Sequence, residues 1–211
     1  MEVGHTMGKN RVYQLGLYEK AMPSDLTWEM KLSAAKKAGF DFVEISIDET
    51  DVKLARLDYE EVDFEELIVA MKKTNMAILS MCLSGHRRFP LGSHDKSVQQ
   101  KSLEIMKKAI LFAAKLGIRN IQLAGYDVYY EHHDQYTREM FDFNLGKCVE
   151  MASRHGVILG FETMETDFMN TAYKAMFYIN KYDSPYLKLY PDIGNLTNAS
   201  RITNVPVKDD L

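Results

Sequence analysis

Val157-Ile158-Leu159-Gly160-Phe161-Glu162-Thr163-Met164-Glu165 runs from apolar residues straight into a carboxylate and then turns polar. A run of that kind reads as a parallel strand buried on both faces that delivers an acid to the rim of a sheet. About thirty residues on, Leu187-Lys188-Leu189-Tyr190-Pro191-Asp192-Ile193-Gly194-Asn195 repeats the arrangement: a short strand, a proline that ends pairing, then an aspartate. Two acids at the carboxyl ends of successive parallel strands face one site, and in α/β folds that edge is where ligands bind.

Working outward, the hydrophobic pattern predicts strands over 12–17, 40–47, 77–83, 118–123, 157–162 and 187–190. Helices are predicted over 27–38, 63–74, 97–116, 136–155 and 171–182, three of them stopped by Gly39, Gly117 and Gly156. The charged segment 51–61 reads as a loop, and 84–93 as a long loop at the carboxyl end of the third strand. Strand and helix thus alternate, and no glycine-rich phosphate fingerprint follows the first strand. The expected fold class is α/β, a (β/α)8 TIM-barrel type in one domain over 1–211, rather than a nucleotide-binding doubly wound sheet.

A complete barrel needs eight such units and roughly 250 residues. Only six are legible, so the barrel is expected to be incomplete, with strands seven and eight missing through truncation, a frameshift or genuine shortening. Residues 198–211 read as an irregular tail, with Pro206 arguing against a strand over 203–207. Residues 1–10 read as a polar leader, and Met7-Gly8 as a second start or its edge.

The 211 residues are 46% hydrophobic and 27% charged, the composition of a globular chain with material for one sizeable core. A net charge of −4 argues against nucleic acid, which calls for a concentrated basic face. No segment approaches the roughly 18 to 20 apolar residues of a membrane helix, so no membrane partner is expected. Cys82 and Cys148 stand far apart without metal-type spacing and read as reduced core thiols of a cytoplasmic protein.

Glu162 and Asp192 are the main candidates for chemistry. A single acid ending a strand often caps the next helix or pairs with a lysine; two on successive strands point to function, and carboxylates suit a divalent cation. His86-Arg87-Arg88 follows Ser84-Gly85 in the third loop, a cationic stretch that suits a phosphate or a polyol, against the alternative of a solvated charge run. Glu19 and Glu44 lie at or near the ends of the first two strands and are candidates for bonding substrate hydroxyls, although lone acids are more often caps or ion-pair partners. His132-His133 reads as surface, because adjacent residues in extended chain point opposite ways.

Five runs carry a resemblance: Gly16-Leu17-Tyr18-Glu19-Lys20-Ala21, Gly39-Phe40-Asp41-Phe42-Val43-Glu44, the stretch from Ser80 through His86-Arg87-Arg88 to Ser93, Ile121-Gln122-Leu123-Ala124-Gly125-Tyr126-Asp127-Val128-Tyr129-Tyr130, and Tyr190-Pro191-Asp192-Ile193-Gly194-Asn195-Leu196. Together they resemble the L-ribulose/L-xylulose 5-phosphate 3-epimerase family, also labelled hexulose-6-phosphate isomerase, among the xylose isomerase-like barrels. The likeness spans 12–198.

The resemblance implies a divalent metal, zinc or manganese, held by two carboxylates, a histidine and a further glutamate from four strand ends. Glu162 and Asp192 fall on the first two positions; the histidine and last glutamate belong to strands seven and eight, and proline (Pro206) stands where a faint match would place the histidine. It further implies metal-dependent 3-epimerisation of a pentulose 5-phosphate, with the C3 proton removed and returned through an enediolate, in a setting such as L-ascorbate degradation. Glu162 is then ligand and base together; His86 and Arg87 or Arg88 are the candidates for binding phosphate or substrate, and Glu19, from its place at the first strand end, is a further substrate-binding candidate. The alternatives are a catalytically inactive truncated member and an isomerase of another small sugar. An open barrel edge makes a homo-oligomer, a dimer, the expected state.

Overall fold

Among the described residues six strands form one parallel sheet: β1 (Gly16–Tyr18), β2 (Phe42–Ser46), β3 (Ala77–Leu83), β4 (Asn120–Leu123), β5 (Ile158–Glu162) and β6 (Leu187–Tyr190). The computed structural model describes residues 12–211, and the leader expected over 1–10 lies outside the described residues. Each strand pairs with the next in chain order, β1-β2-β3-β4-β5-β6. A doubly wound sheet reverses its order part-way, so this order is that of a barrel wall. The helices are α1 (Trp28–Lys37), α2 (Asp51–Leu54), α3 (Glu61–Thr74), α4 (Lys96–Leu116), α5 (Gln135–His155), α6 (Ala172–Tyr182), α7 (Ile193–Thr203) and α8 (Val207–Asp210).

Successive side chains along a strand alternate faces, and here the alternation separates oil from chemistry. Val43, Ile45, Ile121, Leu123, Leu159, Phe161 and Leu187 are buried in the apolar core. Residues of the opposite face, Glu44, Gln122, Glu162 and Tyr190, line a polar cavity. Under β5 the rings of Phe141, Phe161, Phe168 and Tyr178 pack with centroids 5.0 to 6.0 Å apart, which locks β5 to α5 and α6. Full burial of each such ring contributes roughly 1.5–3 kcal/mol. That packing holds the strand whose last residue is Glu162.

Local signals start and stop the helices as read from sequence. Asp95 caps α4 through Ser97 N at 2.7 Å, Asp134 and Thr137 form a capping box on α5, and Thr171 caps α6. Gly117 and Gly156 end α4 and α5 at φ of 77° and 66°, a region closed to most side chains. Cys82 and Cys148 are buried free thiols.

Three expectations need correction. The first strand is shorter than 12–17, pairing only from Gly16. The segment 51–61 is not loop: Thr50 caps α2, and a 3-10 turn, Ala55–Asp58, follows. The tail is helical. Asp192 caps α7 by accepting from Asn195 N at 2.8 Å, while Leu196 and Ala199 turn inward. Pro206 opens α8, whose Asp210 accepts from Ala172 N at 2.8 Å at the start of α6. Beyond the local Asp192 cap, contacts from across the fold hold this stretch: Asn195 Nδ2 donates to the Thr163 carbonyl at 2.9 Å and Asn198 Nδ2 to Glu165 Oε1 at 2.6 Å.

Candidate active site

Glu44, Gln122, Glu162 and Asp192 converge on a cavity of about 620 Å³ at the carboxyl edge of the sheet, where Lys20, Asp48 and Arg87 also reach it. Period-two alternation sends a residue of every strand into the same space, Tyr18, Glu44, Cys82, Gln122, Glu162 and Tyr190, and Asp192 joins them from just beyond β6. Concave, polar and at the carboxyl edge, it is where an α/β barrel carries out its chemistry.

Glu162, last residue of β5, lies opposite Tyr190 in the β5–β6 register, so Asp192 follows two residues later on the neighbouring strand end. Burial pushes the Glu162 carboxyl up to about 7, the Asp192 charge adds to the rise, and a hydrogen bond with Gln122 opposes it. A carboxyl half-ionised near neutrality is suited to take and return a proton. Asp192 has two tasks: it faces Glu162 and caps α7. Thr163 secures the pair, its hydroxyl accepting from Asp192 N at 2.9 Å and its carbonyl accepting from Asn195 Nδ2 at 2.9 Å. Gly125 lets the loop after β4 pass against the end of β5, since a Cβ there would sit 2.3 Å from the Glu162 carbonyl oxygen.

Glu44 joins the cavity from β2. Its Oε2 accepts from Ser80 Oγ at 2.7 Å and from the Tyr190 hydroxyl at 3.2 Å. Burial raises its pKa, and both hydrogen bonds lower it. The thiol of Cys82, pushed up by burial to about 11, lies 3.5 Å from the Tyr18 hydroxyl and is protonated at neutral pH.

Of the cationic candidates, Arg87 alone lines the cavity. It lies 3.7 Å from Glu49 and 4.7 Å from the Tyr129 ring centroid, and its buried Nε has no hydrogen-bond partner. His86 points away: buried, with Nε2 3.2 Å from the Ser102 carbonyl, it is driven by desolvation down to about 4 and stays neutral. Arg88 turns outward to Asp51 at 2.6 Å. Glu19 is also outside the cavity, its carboxylate occupied by Lys31, Lys53, Arg56 and the Ser46 amide. His132 and His133 sit at the surface, His133 bonded to the buried Asp127 at 2.7 Å. Lys20, Gln122 and Tyr190 are cavity residues that the sequence pattern did not single out. The available signal was period-two placement, Gln122 between the core residues Ile121 and Leu123, and Tyr190 out of phase with Leu187 and Leu189.

The donor chemistry fits half of a metal shell. The Asp192 charge lies close enough to raise the cost of ionising Glu162, the relation that a cation between them relieves. Among the described residues no group of three His, Cys, Asp or Glu side chains is arranged to hold an ion.

A family model, described as the xylose isomerase-like TIM barrel, matches residues 32–207. The chain belongs to the xylose isomerase-like TIM barrel family. This barrel is 51% identical over 187 residues to a putative L-ribulose-5-phosphate 3-epimerase, SgbU, of Escherichia coli K12, covering 89% of this chain and 65% of that one. It is 52% identical over 183 residues to the L-ribulose-5-phosphate 3-epimerase UlaE of Escherichia coli SMS-3-5, covering 87% and 64% respectively. The chain therefore spans just under two thirds of the length of these curated relatives. A solved D-psicose 3-epimerase shares the fold with a TM-score of 0.77 at 16% identity, over 94% of this barrel and 68% of that structure. No helix among the described residues is long and apolar enough to cross a membrane.

Proposed function

We propose that this barrel supplies the strand-five and strand-six half of the site of a metal-dependent 3-epimerase acting on a pentulose 5-phosphate, L-ribulose or L-xylulose 5-phosphate. The observation that carries this reading is the convergence of Glu162 and Asp192, from successive strand ends, on one polar cavity. Relatives at 51% and 52% identity that are named for this reaction support the substrate class.

Epimerisation at C3 removes a proton beside a carbonyl and returns it to the opposite face. Glu162 is the base on one face: near neutrality a large fraction is ionised, and its buried setting makes proton transfer to it favourable. Gln122 holds the carboxylate in place, and Asp192 discourages it from remaining charged without a partner. Glu162 and Asp192 would hold a zinc or manganese ion, which when bound supplies Lewis-acid stabilisation of the charge that develops on the substrate oxygens. Lys20 and Arg87, which line the cavity beyond the strand ends, meet the phosphate.

Zinc or manganese titration of the purified chain, by calorimetry after elemental analysis, tests the assignment. Stoichiometric binding that Glu162→Gln abolishes is the expected result; binding indifferent to that substitution overturns the ligand assignment. Turnover of L-ribulose 5-phosphate by these 211 residues alone is expected to be slight, since the described residues offer no third ligand.

A further inference from the structure

Proton transfer at Glu162 leaves another buried carboxylate of the cavity without a role. Glu44 is 9% exposed in the middle of β2, and three features aim it. The β2–β3 register slips from Val43↔Ile78 to Glu44↔Ser80, an irregularity that re-aims a side chain and recurs beside active sites. Ser80 then donates to Oε2 at 2.7 Å. Tyr190 donates to the same oxygen at 3.2 Å from β6, and Gly160 makes room for it, because a Cβ there would press on the Tyr190 Cβ at 3.2 Å.

Both hydrogen bonds fall on Oε2, and the residue lines the cavity. Oε1 is thus the acceptor that a ligand meets. A buried carboxylate that is only structural is saturated on both oxygens, as Glu19 is, since leaving one bare in a buried place is costly. We infer that Glu44 is a specificity-determining residue whose Oε1 bonds a hydroxyl at the unphosphorylated end of the sugar. The placement follows from depth: Lys20, Asp48 and Arg87 belong to segments beyond the strand ends, whereas Glu44 lies within β2. With the phosphate at the cations of the mouth, the other end of the ligand reaches the floor. The inference rests on the sugar-phosphate reading above. Either protonation state of Glu44 serves, the ionised form accepting from a hydroxyl and the neutral form donating to one.

The test is binding calorimetry with the purified chain and manganese, using L-ribulose 5-phosphate and its 1-deoxy analogue. The wild-type chain is expected to prefer the parent sugar by about tenfold or more, the scale of one buried hydrogen bond to a charged group. Glu44→Ala should erase that preference while leaving affinity for the analogue nearly unchanged. Tyr190→Phe should keep the preference, which a merely structural role for Glu44 would not allow. Glu44→Gln preserves an acceptor for Ser80 and Tyr190, and so decides the matter should the alanine variant fail to fold; a reduced preference is expected. An undiminished preference in the folded Glu44 variants overturns the inference and leaves the functional reading standing. Failure of the wild-type chain to bind either sugar phosphate overturns that reading, and the inference with it.

Discussion

Glu19→Gln is expected to destabilise this barrel by about 3–5 kcal/mol at pH 7, the scale for removing one partner from a buried ion pair. Glu19 is 1% exposed and sits among three cations: Lys31 Nζ at 3.1 Å, Lys53 Nζ at 2.5 Å and Arg56 Nη1 at 2.6 Å. Trp28 adds a ring face to two of them, 5.2 Å from Lys31 and 5.0 Å from Arg56. Replacing the carboxylate by an amide keeps the shape and leaves three like charges crowded together. The shifted pKa of Glu19 expresses the same interactions. Burial opposes ionisation of Glu19, but hydrogen bonds from Arg56, Lys53 and the Ser46 amide prevail and lower it from 4.5 to about 2. Such a depression corresponds to a contribution on the order of 3 kcal/mol at neutral pH. Because the folded-state value is the lower one, the contribution is complete above about 4.5 and is lost as pH falls toward 2. Urea unfolding followed by circular dichroism measures it, with the midpoint expected to fall by about 1 M or more. The difference between the two proteins should shrink through that acid window. His86, lowered from 6.5 to about 4, destabilises both proteins alike on acidification and cancels from the difference. A loss below about 1 kcal/mol at pH 7, or a difference that persists unchanged at pH 2, refutes the reasoning.

Glu162 has the opposite sign. Its folded value, raised to about 7 from 4.5, means that stability is withdrawn as pH rises through this interval, so in chelator at pH 8 Glu162→Gln should stabilise the chain by about 1–3 kcal/mol. Zinc or manganese should reverse that order, and thermal melts with and without metal read both. Gly125→Ala places a Cβ 2.3 Å from a backbone oxygen and 2.6 Å from Met169 Cγ; it should cost about 1–3 kcal/mol in urea unfolding and weaken metal binding by shifting Glu162. The outer edges of β1 and β6 have no strand partner among the described residues, so light scattering at micromolar concentration should show a dimer or larger species; a monomer of 24.3 kDa contradicts this.

The fold was legible because it repeats one local signal. Each apolar run is short, each helix has its own cap or stop, and Gly117 and Gly156 end two helices in a conformation that their sequence context announces. Glu162 and Asp192 were legible for the same reason, as acids at the ends of such runs. The helical tail was not, since α7 and α8 depend on packing and on a cap given by Asp210 to α6, 38 residues away in sequence. Arg87 and Arg88 are neighbours of one residue type, and no local pattern separates the one that enters the cavity from the one that meets Asp51.

The sequence by itself determined the alternation of strands and helices, the parallel sheet and the two acids at its edge, because hydrophobic period, capping and turn chemistry act over a few residues. Only the tertiary structure decided which charges are spent on stability and which face a ligand. Glu19 and Glu44 look alike in the sequence, an acid at or near the end of an early strand. One is surrounded by Lys31, Lys53 and Arg56, and the other is met by Ser80 and by Tyr190 from the far side of the barrel. A carboxylate's role is set by the charges and donors that reach it through space, and these arrive from segments as far as 146 residues away along the chain.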